Sequence, residues 1–158
     1  MKHFTFLFFL IASLGLFSCM PPMETTESER TLQRVIEVPA LTKKQIYDKA
    51  LEWMAKTFVS ANEVIQLKDP DNGKIIGRGI TEFTNGMTTI PCEYSITIET
   101  KDGKCRVTCD QFIGLWGVYH TDRSPLRYAD HVYAVRENLA NLIDGLDIFL
   151  KNNKPDNW

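Results

Sequence analysis

The residues best equipped for chemistry gather in one stretch of the chain. His120, Asp122, Asp130 and His131 offer two imidazoles and two carboxylates. These are the donor types of a metal site or an acid–base pair. No His-x-x-x-His or similar spacing places them on one face, so they read as solvated loop residues, with Asp130 at a helix start. Ser124 lies near His120, but no Gly-x-Ser-x-Gly turn presents it as a nucleophile. In the same stretch Trp116, Tyr119, Arg123 and Arg127 form a cationic–aromatic group of the kind enriched at interface hot spots. These four are the candidate partner-binding residues. No catalytic residue, metal ligand or cofactor is assigned.

Two other features suggest chemistry and are read structurally. Gly77-Arg78-Gly79 resembles a phosphate cradle, but a dinucleotide fingerprint needs a third glycine opening a helix, and here Ile80-Thr81-Glu82-Phe83 continues as strand. Glycines inside a strand mark a bulge or a close approach, such as a helix crossing the sheet. Cys105 and Cys109, four apart on one strand, stand roughly 13 Å apart at about 3.3 Å per residue. A disulfide needs Cα atoms within about 7 Å, so this pair cannot bridge. A Cys-x-x-x-Cys zinc pair lacks the tight-turn geometry of zinc knuckles. Cys92, Cys105 and Cys109 are therefore expected as buried small apolar residues.

The elements that position these residues follow from periodicity. Leu32–Val38 is β-branched and ends at Pro39, as a strand does. Thr42 and Gln45 have capping-box spacing, and Ile46, Ala50, Trp53, Met54, Thr57 and Phe58 recur at helical intervals over about four turns. Val64–Leu67 runs into the turn cluster Asp69-Pro70-Asp71-Asn72-Gly73, after which Lys74-Ile75-Ile76 restarts a strand. Cys92, Tyr94, Ile96 and Ile98 alternate with polar residues, as do Cys105, Val107 and Cys109 beyond Asp102-Gly103. Placing both apolar sets on one face requires a two-residue turn that pairs Lys101 with Lys104, Ile98 with Val107 and Ile96 with Cys109. The same register sets Cys92 opposite Ile113. Residues 114–125 have no period and read as a long loop. Val132, Val135, Leu139, Leu142, Ile143, Leu146, Phe149 and Leu150 keep helical spacing, interrupted by Gly145, which is expected to pack closely on the sheet.

The N-terminus reads as a leader. Lys2 precedes the apolar run Phe4–Phe17, shorter than the roughly 20 residues of a membrane span. Leu16-Phe17-Ser18-Cys19 resembles a bacterial lipobox, with Cys19 as the lipidated residue. The expected organisation is a signal peptide over 1–18, lipidated Cys19 with a flexible tether over 19–31, one α+β domain over 32–152 and a tail over 153–158. The tether carries Glu24, Glu27 and Glu29 and reads as a solvated spacer. In 158 residues, 18 Lys+Arg stand against 20 Asp+Glu for a formal charge of −2, and loss of Lys2 with the leader takes it to −3. So little positive charge argues against non-specific nucleic-acid binding.

The order is β-α-β-β-β-β-α, an α+β antiparallel sheet with two helices on one face. With the leader ending at Cys19, the helix Ile46-Tyr47-Asp48-Lys49-Ala50-Leu51-Glu52-Trp53-Met54 and the strand Gly73-Lys74-Ile75-Ile76-Gly77-Arg78-Gly79, the chain resembles a Bacteroidetes lipoprotein family, a domain of unknown function with a TATA-binding-protein-like (TBP-like) fold. The resemblance covers roughly Leu32 to Lys151 and carries no catalytic residue across. The expected function is a non-enzymatic, lipid-anchored binding or assembly module of the cell envelope, on the outer membrane and facing the periplasm or the surface. Its partners are the membrane, through Cys19, and an unidentified protein or small ligand. The alternative is a small envelope hydrolase or metalloenzyme using the 114–131 stretch.

Overall fold

The computed structural model describes residues 24–58 and 64–152; the leader, Cys19 and the 153–158 tail lie outside the described residues. Six strands form one antiparallel sheet: β1 (Leu32–Glu37), β2 (Ile65–Asp69), β3 (Lys74–Asn85), β4 (Thr88–Lys101), β5 (Lys104–Trp116) and β6 (Asp122–Pro125). Their order is β1-β5-β4-β3-β2, and β6 also pairs with β5. Because β4 occupies one edge of β5, β1 and β6 share the other. β1 pairs with residues 104–109 and β6 with residues 113–116. Two helices, α1 (Lys43–Thr57) and α2 (Ala129–Lys151), cover one face. Among the described residues, no helix is long and apolar enough to cross a membrane.

Local chemistry sets these elements. Thr42 and Gln45 make the expected capping box on α1, and the Asp102 carboxylate accepts from the Lys43 backbone N–H at 2.7 Å. The β4–β5 turn therefore also caps the helix, satisfying first-turn donors that have no partner within it. Gly103 has φ +75 and closes the two-residue turn with Lys101 opposite Lys104, Ile98 opposite Val107 and Ile96 opposite Cys109, as expected. On α1 the buried set is Ile46, Tyr47, Ala50, Trp53 and Met54, whereas Thr57 is exposed. The predicted α2 stripe is buried at Val132, Val135, Leu139, Ile143, Leu146 and Leu150, with Leu142 and Phe149 at its margin.

Three expectations fail. Cys92 lies opposite Gly114, not Ile113, because Gln111 adopts φ 55 and β5 carries one extra residue there. This bulge reverses the alternation, so that Cys105, Val107 and Cys109 face the core before it and Phe112 and Gly114 after it. The supposed loop 114–125 is the end of β5 and the short strand β6, with Trp116 opposite Asp122 and Ile113 opposite Pro125. Gly145 does not pack on the sheet. A Cβ there would meet only Trp53 Nε1 of α1, at 3.9 Å.

The segment preceding β1, expected as a solvated spacer, is tied to the domain from Glu24 onward. Glu24 bridges to Tyr128, and the Thr25 N–H and hydroxyl donate to the Arg127 carbonyl at 2.6 and 3.0 Å. Arg136 on α2 donates to the carbonyls of Glu29 and Thr31 at 2.6 and 2.7 Å.

Candidate functional site

The bulge decides where the site forms. With the parity of β5 reversed, Trp116 turns to the helix-covered face and lies across Gly114. A Cβ at Gly114 would come within 2.8 Å of Trp116 Nε1 and 3.0 Å of Leu126 Cδ2, so only glycine lets the indole settle there. Trp116 packs edge-on to Phe83 of β3 at 5.6 Å between ring centroids. His131, in the first turn of α2, sits against Phe83 at 4.7 Å, Tyr128 at 5.7 Å and Trp116 at 5.8 Å. Only 7% of His131 is exposed. It lies four and eight residues before Val135 and Leu139, so the apolar spacing of the helix places it inward.

Beside this aromatic group opens a cleft of about 410 Å³, lined by Trp116, Asp122, Ser124, Arg127, Tyr128 and His131. Two of its nitrogens, Trp116 Nε1 and His131 Nδ1, are buried and have no hydrogen-bond partner. An indole N–H can only donate, while imidazole Nδ1 donates or accepts according to tautomer. A buried polar group left unpaired costs about 1–3 kcal/mol. Arg127 and Asp122, both exposed, line the same cleft.

The structure divides the four residues expected to act together. Trp116 and Arg127 share the cleft. Arg123 instead makes a two-pronged ion pair with Glu93 of β4, with Nη1 to Oε1 at 2.8 Å. Tyr119 stands at the tip of the β5–β6 connection, 86% exposed. The His120/Asp122/Asp130/His131 set is divided as well. The His120 Nδ1 lies 3.2 Å from the Leu115 carbonyl, and the Asp130 carboxylate stands at 3.9 Å from His131 Nε2, exposed to solvent. Among the described residues no three His, Cys, Asp or Glu side chains are grouped to hold a metal ion.

The remaining candidates are structural. Gly77 and Gly79 admit Met54 of α1 and the Tyr94 ring, the close approach expected of strand glycines. Cys92, Cys105 and Cys109 are free and buried, and burial pushes each thiol up to about 12. A second hollow of about 410 Å³ lies along β5 between the start of β1 and the end of β6, lined by Glu27, Arg30, Asp110, Gln111, Ile113 and Pro125. Burial raises the Asp110 carboxyl above its ordinary value.

Comparison with known proteins locates the fold. The model of a family described as a domain of unknown function (DUF4468) with TBP-like fold matches residues 33–113. Two crystal structures are similar. One is a DUF4468 family protein from Bacteroides ovatus, at 16% identity and TM-score 0.59, covering 85% of this chain and 93% of that one. The other is a TBP-like protein from Parabacteroides distasonis, at 12% identity and TM-score 0.64, covering 82% and 98%. No curated protein matches the chain.

Proposed function

We propose, for a chain that belongs to the DUF4468 family with its TBP-like fold, an exported, lipid-anchored envelope protein that works as a binding or assembly module. The observation that carries the binding role is the aromatic-lined cleft, two of whose lining residues, Trp116 and His131, keep a buried nitrogen without a partner. The anchor reading rests on the apolar leader ending at Leu16-Phe17-Ser18-Cys19. Acyl chains there hold a domain to a bilayer at about 0.8 kcal/mol per buried methylene.

The test is cross-linked affinity purification of the tagged, lipidated protein from its own membranes, read by mass spectrometry, beside a thermal-shift screen of hydroxyl- and carboxyl-bearing small molecules. A partner or ligand retained by the native protein and lost with Trp116→Phe supports the reading. Identical recovery and shifts in the two proteins sink it. The intact mass of the membrane-extracted protein tests the anchor: an N-terminus at Cys19 carrying acyl chains supports it, and an unmodified Cys19 removes it.

A further inference from the structure

The two ends of the sheet differ in chemistry. At one end lie the β2–β3 turn, Asp69-Pro70-Asp71-Asn72-Gly73-Lys74, and the β4–β5 turn, Lys101-Asp102-Gly103-Lys104, with Lys43 and Lys44 beside them at the start of α1. At the other end the β3–β4 hairpin turns through Gly86-Met87 and the β5–β6 hairpin through residues 117–121. Neither Phe83–Ile90 nor Gly114–Thr121 contains a Lys, Arg, Asp or Glu, in a chain that is 24% charged. Met87 is fully exposed, Val118 is 88% exposed, and Tyr119 stands beside it at the same tip. Exposed Tyr128 caps the start of α2 and exposed Tyr133 lies on its first turns, which pack against this end through His131, Phe83 and Trp116.

The chain enters the domain at this same end. Glu24 bridges to Tyr128 and Thr25 is hydrogen-bonded to Arg127. Glu24 stands five positions after Cys19, and even fully extended those five steps span at most about 18 Å. An anchor at Cys19 therefore holds the Tyr128 side of the domain, the end that carries the uncharged tips, within about 18 Å of the bilayer. Tyrosine is enriched at the headgroup level, and a tip without charges enters it without the cost of desolvating an ion.

We propose that Met87, Val118 and Tyr119 dock into the interfacial layer of the bilayer that holds the Cys19 acyl chains, setting the sheet end-on to the membrane with the Trp116–His131 cleft close to its surface. This inference rests on the lipidation reading. The test uses the full lipidated protein in native-lipid vesicles, with nitroxide labels attached one at a time at Met87→Cys, Val118→Cys and, at the charged end, Asp71→Cys. The three described native cysteines are buried and stay unlabelled in the folded protein. Collision with oxygen exceeding collision with a water-soluble nickel complex at positions 87 and 118, with the reverse at 71, is the expected result. Equal nickel access at all three positions overturns the docking. Exclusion of both probes from the tips also overturns it, since a protein partner or a second copy then covers them. The mass of the N-terminal peptide is read on the same preparation. An acylated Cys19 with water-exposed tips removes the docking alone, and an unmodified Cys19 removes both readings.

Discussion

Met54 closes directly over the backbone of Gly77: a Cβ added to that glycine would lie 2.7 Å from the Met54 methyl. The contact fixes how near α1 sits to β3 in the part of the core where Ile96 is also fully buried. Its neighbour Gly79 is more constrained, since an added Cβ would stand 2.5 Å from the Tyr94 ring. A methionine end can swing aside, whereas a buried aromatic ring must move as a unit. Both Gly77→Ala and Gly79→Ala are expected to destabilise by about 1–3 kcal/mol, with Gly79→Ala the costlier. In urea unfolding, Met54→Ala should rescue part of the Gly77→Ala loss and none of the Gly79→Ala loss.

Trp116→Phe removes a buried donor that lacks an acceptor, together with part of the ring packed on Gly114. The two effects oppose one another: removing the unpaired donor gains about 1–3 kcal/mol, and the space left by the smaller ring offsets part of that gain. The expected result is a Tm within a few degrees of the native protein with ligand or partner capture abolished. A large fall in Tm, measured by calorimetry, with capture unchanged would show that the indole serves packing alone.

Asp110 carries a carboxyl whose pKa burial raises. A folded-state pKa above the unfolded one means that the native state holds the proton more tightly. Stability therefore falls as pH rises through the interval between the two values and stays lower above it. Asp110→Asn should stabilise the protein at neutral pH, and this gain should disappear once the solution is acidic enough to protonate the carboxyl in both states. Unfolding free energies across the acid range, compared between the two proteins, check the sign.

Cys92, Cys105 and Cys109 are buried with their thiols pushed up to about 12, so none is a thiolate at neutral pH. With Cys19 replaced by serine, a colorimetric thiol reagent should find no reactive group in the native protein and three after denaturation. Rapid modification of any of the three without unfolding would contradict the core assignment.

The parts of the fold readable from sequence are those governed by neighbours along the chain. Thr42 with Gln45 signals a helix start wherever it occurs, and Asp102-Gly103 between alternating apolar residues permits only one register. The bulge at Gln111 has no such signature, because a glutamine in positive φ looks like any polar strand residue until β4 is laid beside it. β6 was equally hidden: Asp122–Pro125 is exposed throughout, ends in proline, and becomes strand only because β5 offers a free edge beyond β1. The same bulge explains the partial reading of the site. It turns Trp116 toward α2 while Arg123 pairs with Glu93, which separates residues that lie close together in sequence. The inward position of His131, by contrast, was available from its spacing to Val135 and Leu139.

The pairing of β1 with β5 has a kinetic consequence. Leu32 meets Cys109 and Glu37 meets Lys104, so the first strand has no partner in the sheet until almost all of the strands between have been made. Contacts between residues so distant in sequence form slowly, because the entropy of closing the loop is lost before any pairing is gained. For a chain exported as proposed above, the same delay holds on the far side of the membrane: β1 cannot take its place in the sheet before β5 is there to receive it. Pulsed hydrogen exchange during refolding should accordingly show the β1 amides gaining protection together with the first half of β5, after the local β4–β5 hairpin turn.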